Sequence, residues 1–135
     1  MWSSTPKEAP TFMYELSVTR EFCAAHAIDI KGVREPLHGH NWRVTAVVAG
    51  PVLDADGLLC DFHEVEAHLD AAIDRYRDRT LNDVAPFDQV NPTAEHLARH
   101  LAEALADGLG EGVQVRRLSV TEAPGCEATY IPVNP

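Results

Sequence analysis

Basic residues are scarce in this chain. Eleven lysines and arginines stand against 21 aspartates and glutamates, a formal net charge of -10 over 135 residues. That balance excludes a general nucleic-acid binder, which needs a basic face to displace counterions. It also removes any attraction to an anionic membrane surface. A small anionic substrate stays compatible, because a local positive site can sit inside an acidic protein. Cysteine is sparse as well. Cys23, Cys60 and Cys126 are odd in number and widely spaced, which excludes a disulfide framework or a CxxC zinc knuckle and suits reduced thiols in the cytoplasm. Long apolar runs are missing: the longest, residues 44–49, is broken by Thr45 and is far too short to span a bilayer. Residues 1–10 contain no apolar stretch of the kind a secretory signal needs, and they read as a loose polar leader.

What is present is enough apolar residue, 45% of the chain, to bury a core in one domain. A chain this short leaves much surface uncovered, so oligomerisation is expected to help. Residues 12–22 carry Phe, Tyr, Val and Thr at roughly alternate positions, which predicts a strand. A second strand is predicted over 41–49 and stops at Gly50-Pro51, with a short extended piece at 58–62. Asp61 followed by Glu64 fits a capping box. Beyond it Val65, Leu69, Ile73 and Tyr76 form the stripe of a helix. A second helix opens near Pro92, places Leu97, Leu101 and Leu105 on one face, and ends at Gly108 and Gly110. Residues 113–123 and 126–133 read as two strands joined by Pro124-Gly125. This order predicts an α+β fold: a four-stranded antiparallel sheet with two helices on one face.

The strongest local signal is His38-Gly39-His40, with His26 twelve residues before His38. Residues i and i+2 of a strand point to one side, so His38 and His40 can present two imidazoles to one metal. If the first two strands pair as a hairpin, His26 approaches them. Three imidazoles with an open fourth position are what a catalytic zinc needs. The same residues can equally be strand-end histidines with no joint role, and spacing does not decide. His96 and His100 lie four apart on the second helix, opposite the leucines, and read as a solvated face, as does His68. His63, at the start of the first helix, is ambiguous.

The runs Phe22-Cys-Ala-Ala-His26 and Leu37-His-Gly-His-Asn-Trp42 resemble the FSAAH and LHGHN motifs of the 6-pyruvoyl/6-carboxy-tetrahydropterin synthase family. The resemblance continues in order through Gly57-Leu-Leu-Cys-Asp-Phe62, Leu81-Asn-Asp83, Asn91-Pro-Thr-Ala-Glu95, Thr121-Glu122 and Tyr130, nearly the whole chain. It implies the tunnelling fold, with sheets joined around an oligomeric barrel, usually a hexamer, and active sites between subunits. It also implies a zinc cofactor on His26, His38 and His40, and a pterin substrate such as 7,8-dihydroneopterin triphosphate. Glu122 is implied as the anchor of the pterin ring, a role a carboxylate can fill by accepting two hydrogen bonds.

Two positions depart from the family pattern. The usual proton-transfer cysteine, four residues before the first histidine of HGH, is replaced by Arg34. Glu35 follows it, and Glu35-Pro-Leu-His38 resembles a subgroup in which a glutamate stands in for the cysteine and the product is 6-hydroxymethyl-dihydropterin. A carboxylate can act as a general base. Glu35 can also be an ordinary member of the charged stretch 31–35. The usual Asp-His before Leu81-Asn82-Asp83 is replaced by Arg77-Asp78, which leaves Asp78 as the second candidate catalytic residue and removes an imidazole from the relay. Cys23, in the serine position of its motif, is expected at a packed strand end, and Cys126 is expected to be structural. The sequence thus predicts a zinc-dependent pterin lyase. The alternative is a zinc- and pterin-binding protein that has lost the relay.

Overall fold

The computed structural model describes residues 13–133, so the leader at 1–10 lies outside the described residues. Two 13-residue strands, β1 (Tyr14–His26) and β4 (His38–Gly50), pair antiparallel over their whole length, from Tyr14 opposite Gly50 to His26 opposite His38. Between them a small hairpin is formed by β2 (Asp29–Ile30) and β3 (Val33–Arg34). Helix α1 (Phe62–Asp74) leads to β5 (Arg79–Thr80), and a 3-10 turn, Leu81–Asp83, precedes α2 (Ala94–Gly108). β6 (Gln114–Ala123) and β7 (Cys126–Tyr130) close the chain. The main sheet runs β5-β1-β4-β6-β7.

The sheet therefore has five strands rather than four, and β5 lies parallel to β1. Two residues cannot display a period, so β2, β3 and β5 leave no pattern in the sequence. Residues 58–62 form turns up to the start of α1 and make no strand. The expected helices are present. The Asp61 side chain accepts from the His63 N–H and the Thr93 side chain from the His96 N–H, each capping its helix.

One face of the sheet carries the core. Alternate residues of β1 (Val18, Phe22, Ala24) and β4 (Trp42, Val44, Ala46, Val48) pack against Val65, Leu69 and Ile73 of α1 and Leu97, Leu101 and Leu105 of α2. On β6 a bulge opposite Val47/Val48 lets Val115 and Leu118, three residues apart, both face inward. Arg20 also points inward, at the edge of the apolar row. It pairs with Glu66 at 2.7 Å and Asp70 at 2.8 Å, tying α1 to β1. The opposite face is polar. Thr19 meets Thr45, and Ser119 meets Thr129, in side-chain hydrogen bonds of 3.2 and 2.8 Å. Cys23, expected to be packed, belongs to this outward face and is exposed. Odd-numbered β1 positions face away from the helices, and Cys126, at the first position of β7, is exposed too. No helix among the described residues is long and apolar enough to cross a membrane.

Two glycines are fixed by close approach. A methyl at Gly50 would meet the Gly112 carbonyl oxygen and the Leu59 side chain, whereas one at Gly108 would meet only the His68 ring. Backbone cannot step aside as a ring rim can. Gly50→Ala is therefore expected to lower the unfolding free energy by about 1–3 kcal/mol and Gly108→Ala by less, in urea denaturation of the two variants. A reversed order would refute this account of the packing.

Candidate metal centre

The inward row of β1 ends in His26, and the inward row of β4 begins with His38 and His40. Their register sets His26 opposite His38, and the small Ala24 opposite His40. Ring centroids lie 4.7 Å apart for His26–His38 and His38–His40, and 5.1 Å apart for His26–His40. Trp42 forms the floor, edge-on to His26 at 4.9 Å and His40 at 5.1 Å. Its indole N–H donates to the Ala24 carbonyl at 3.0 Å. The structure thus brings the three predicted ligands together.

Their orientation comes from backbone carbonyls. His26 Nδ1 lies 2.7 Å from the Pro92 carbonyl oxygen, and His38 Nδ1 lies 2.9 Å from that of Pro36. A carbonyl only accepts, so each Nδ1 carries the hydrogen and each Nε2 keeps its lone pair, the arrangement metal-binding histidines adopt. His26 is fully buried. The Nε2 atoms of His26 and His40 are buried without a hydrogen-bond partner. Burial also lowers the His40 pKa from its ordinary value, against the pull of Glu122, and so favours the neutral imidazole that ligates metals.

Glu122 joins the same group. β6 brings it in line with Leu118 and Val120, where the sheet register shifts between Thr121 and Ala123. Its Oε1 lies 3.1 Å from His26 Nε2 and 3.6 Å from His40 Nε2. The shorter contact is close enough for an ion pair yet lacks hydrogen-bond geometry, so the two atoms face a common space rather than each other. One ligand atom from each of His26, His38, His40 and Glu122 falls within 4.8 Å of the others. The donor set, three imidazoles and a carboxylate with two orphaned buried nitrogens, fits a zinc-type ion.

The loop around residues 82–92 holds the segment after His26. The Asn82 side chain accepts from Ala27 N–H at 2.9 Å and donates to Ala27 C=O at 2.8 Å. Asn91 does the same for Asp29, at 2.9 Å both ways. From the other side, Glu35 donates its N–H to the Ile28 carbonyl at 3.0 Å and accepts the Ile28 N–H on Oε1 at 3.2 Å. That oxygen lies 3.7 Å from His38 Nδ1, so Glu35 stands beside the histidines. Asp78 does not join them. It adopts a left-handed backbone, φ 58°, with its N–H on the Cys23 carbonyl at 2.7 Å. It lines a cleft of about 480 Å³ with Cys23, Asn41, Thr80 and the flank of His40. Arg34 is held by Asp29 and Arg77 by Asp74. His63 pairs with Glu66 and is exposed. His96 donates to or accepts from nothing in the cluster, its Nδ1 lying 2.8 Å from the Asn91 carbonyl. His100, expected on a solvated face, packs edge-on against Phe87 at 5.4 Å instead. The two asparagine clamps and the Pro92 carbonyl are site features that sequence reasoning missed. Their residues sit inside quoted motifs, but a side chain mimicking a strand neighbour has no period to reveal it.

The 6-pyruvoyl tetrahydropterin synthase family model matches residues 15–132. A comparison with curated protein sequences gives no match. Among solved structures, Caenorhabditis elegans 6-pyruvoyl tetrahydropterin synthase is 19% identical, over 93% of this chain and 99% of that one, with a TM-score of 0.79. The Plasmodium falciparum protein of the same name is 20% identical, over 87% and 96%, with a TM-score of 0.73. The Plasmodium vivax protein, in a variant whose catalytic-residue glutamate is replaced by alanine, is 20% identical, over 88% and 97%, with a TM-score of 0.72. These are likenesses of fold.

Removing one clamp tests the support of the site. Asn82→Ala leaves both polar groups of buried Ala27 without their partner, a loss of about 1–3 kcal/mol. With His26 less firmly held, zinc affinity is expected to fall roughly 10- to 100-fold, read by chelator competition alongside denaturation. Unchanged affinity would separate the clamp from the metal centre.

Proposed function

The chain belongs to the 6-pyruvoyl tetrahydropterin synthase family, and on that premise we propose that it is a zinc-dependent lyase acting on 7,8-dihydroneopterin triphosphate or a related pterin. The observation that carries this reading is the pair of buried, partnerless Nε2 atoms on His26 and His40, with the Nδ1 atoms of His26 and His38 tied to carbonyls. His26, His38 and His40 would hold the zinc, which would supply Lewis acidity toward a hydroxyl of the pterin side chain and so ease proton loss from the neighbouring carbon. Glu122 binds the amino-pyrimidine edge of the ring, accepting two hydrogen bonds.

Glu35 takes the proton. Its carboxylate lies next to His38, and the hairpin contact with Ile28 fixes its position. A catalytic glutamate in the Plasmodium vivax protein supports this choice, and the product it favours is 6-hydroxymethyl-dihydropterin. Asp78, at the cleft that reaches His40, is the second catalytic residue. The whole chain, 1–135, serves as one pterin-binding domain, and its free cysteines suit the cytoplasm.

The working form is a homo-oligomer, because among the described residues β7 and most of β1 leave sheet edges open, and the family resemblance makes that oligomer a hexamer. Light scattering at micromolar concentration is expected to give that mass, and a monomer would contradict it. Glu35→Gln keeps an oxygen for the Ile28 N–H while removing the base. It is expected to cut turnover of dihydroneopterin triphosphate about 10²-fold or more with zinc content unchanged. Full turnover in the variant would remove Glu35 from the mechanism, and pterin binding without turnover in the parent would identify a binding protein instead.

A further inference from the structure

Glu122 stands in two relations at once. As ring anchor it needs both carboxylate oxygens free for the pterin. Yet its Oε1 is 3.1 Å from His26 Nε2 and 3.6 Å from His40 Nε2. In a tetrahedral site with ligands at about 2.0–2.1 Å, neighbouring ligand atoms are about 3.3 Å apart. The two observed separations bracket that edge. Both nitrogens are buried and partnerless, and neither gains a hydrogen bond from the nearby oxygen. Facing lone pairs at this separation repel unless a positive charge lies between them, and the lack of hydrogen-bond geometry points to a cation rather than to a proton on Nε2.

We propose, resting on the metal-centre reading above, that Glu122 is the fourth ligand of the resting site, and that binding a pterin requires it to leave the metal. Four protein ligands make a closed centre of the structural kind, whereas a catalytic centre keeps a position open. Glu122 converts one into the other. The side chain retains 32% of its surface exposed, so an incoming amino-pyrimidine edge can reach the carboxylate from the solvent side. The bulge between Thr121 and Ala123 gives the backbone beneath it a place to adjust. The centre would then open only when a ligand with two adjacent hydrogen-bond donors offers Glu122 an alternative, so ring recognition and opening of the metal become one event. This gives specificity without a lid: a compound bearing the side chain but lacking the donor pair finds the coordination closed.

The test uses the full-length protein loaded with Zn2+ or Co2+, comparing the parent with Glu122→Ala and Glu122→Gln. Zinc affinity, by chelator competition, is expected to fall at least about tenfold in Glu122→Ala. The visible spectrum of the cobalt form should change as well, because a ligand of the ion is lost. Glu122→Gln preserves the volume and tests the same point if the alanine variant does not fold. Adding 7,8-dihydroneopterin to the parent cobalt protein should also shift its spectrum. Affinity and spectrum equal to the parent's in both variants would overturn the proposal while leaving a three-histidine centre standing. Failure of the parent itself to bind either ion would instead sink the metal-centre reading, and this inference with it.

Discussion

The hydrogen bond from His26 Nδ1 to the Pro92 carbonyl, 2.7 Å long and fully buried, is the constraint on which the site depends. It joins the last residue of β1 to the residue just before the cap of α2, so the sheet and the helical layer meet at an imidazole. An imidazole buried there without a partner would cost several kcal/mol of lost solvation. With Nδ1 satisfied by a carbonyl, the buried ring keeps one nitrogen partnered and turns Nε2 toward Glu122. The other two histidines follow from it: the β1–β4 register sets His38 opposite His26 and places His40 two residues further along the same face.

The same loop extends this control along the chain. Asn82 and Asn91 pair with Ala27 and Asp29 as a neighbouring strand would, although no strand is there. They keep the chain extended after His26, and Ile28 between them turns its backbone to Glu35. The position of the carboxylate next to His38 is thus inherited from the 82–92 loop through three residues of main chain.

Much of this was legible in the sequence. The 13-residue strands and the two helices announce themselves because each repeats its pattern for several turns or alternations, and Asp61 marks its helix as a capping residue should. The histidine triplet was legible in part: HxH in a strand puts two imidazoles on one side, and the family resemblance, not the spacing, singled out His26 as the third. Glu35 was singled out through resemblance, and it lies near His38. The two-residue strands were not legible, being shorter than any period. Nor was the place of Glu122 within the histidine group, since that depends on a register shift in β6 which local propensity does not encode. Cys23 was misread as packed because β1 offers two faces and its neighbours Phe22 and Ala24 belong to the other one. Asp78 was named as a candidate from its place before Leu81-Asn82-Asp83, but sequence order does not say that it lies outside the histidine group, at the cleft on the flank of His40.

The hydroxyl row formed by Thr19, Thr45, Ser119 and Thr129 bears on how this sheet meets other surfaces. Hydroxyls already paired with one another present a wetted plane whose dehydration releases little free energy. Stickiness is therefore low across the plane and concentrated along its rims, where main-chain donors and acceptors face outward. Attraction restricted to rims is directional: it favours extending the sheet sideways over stacking on its hydrated face.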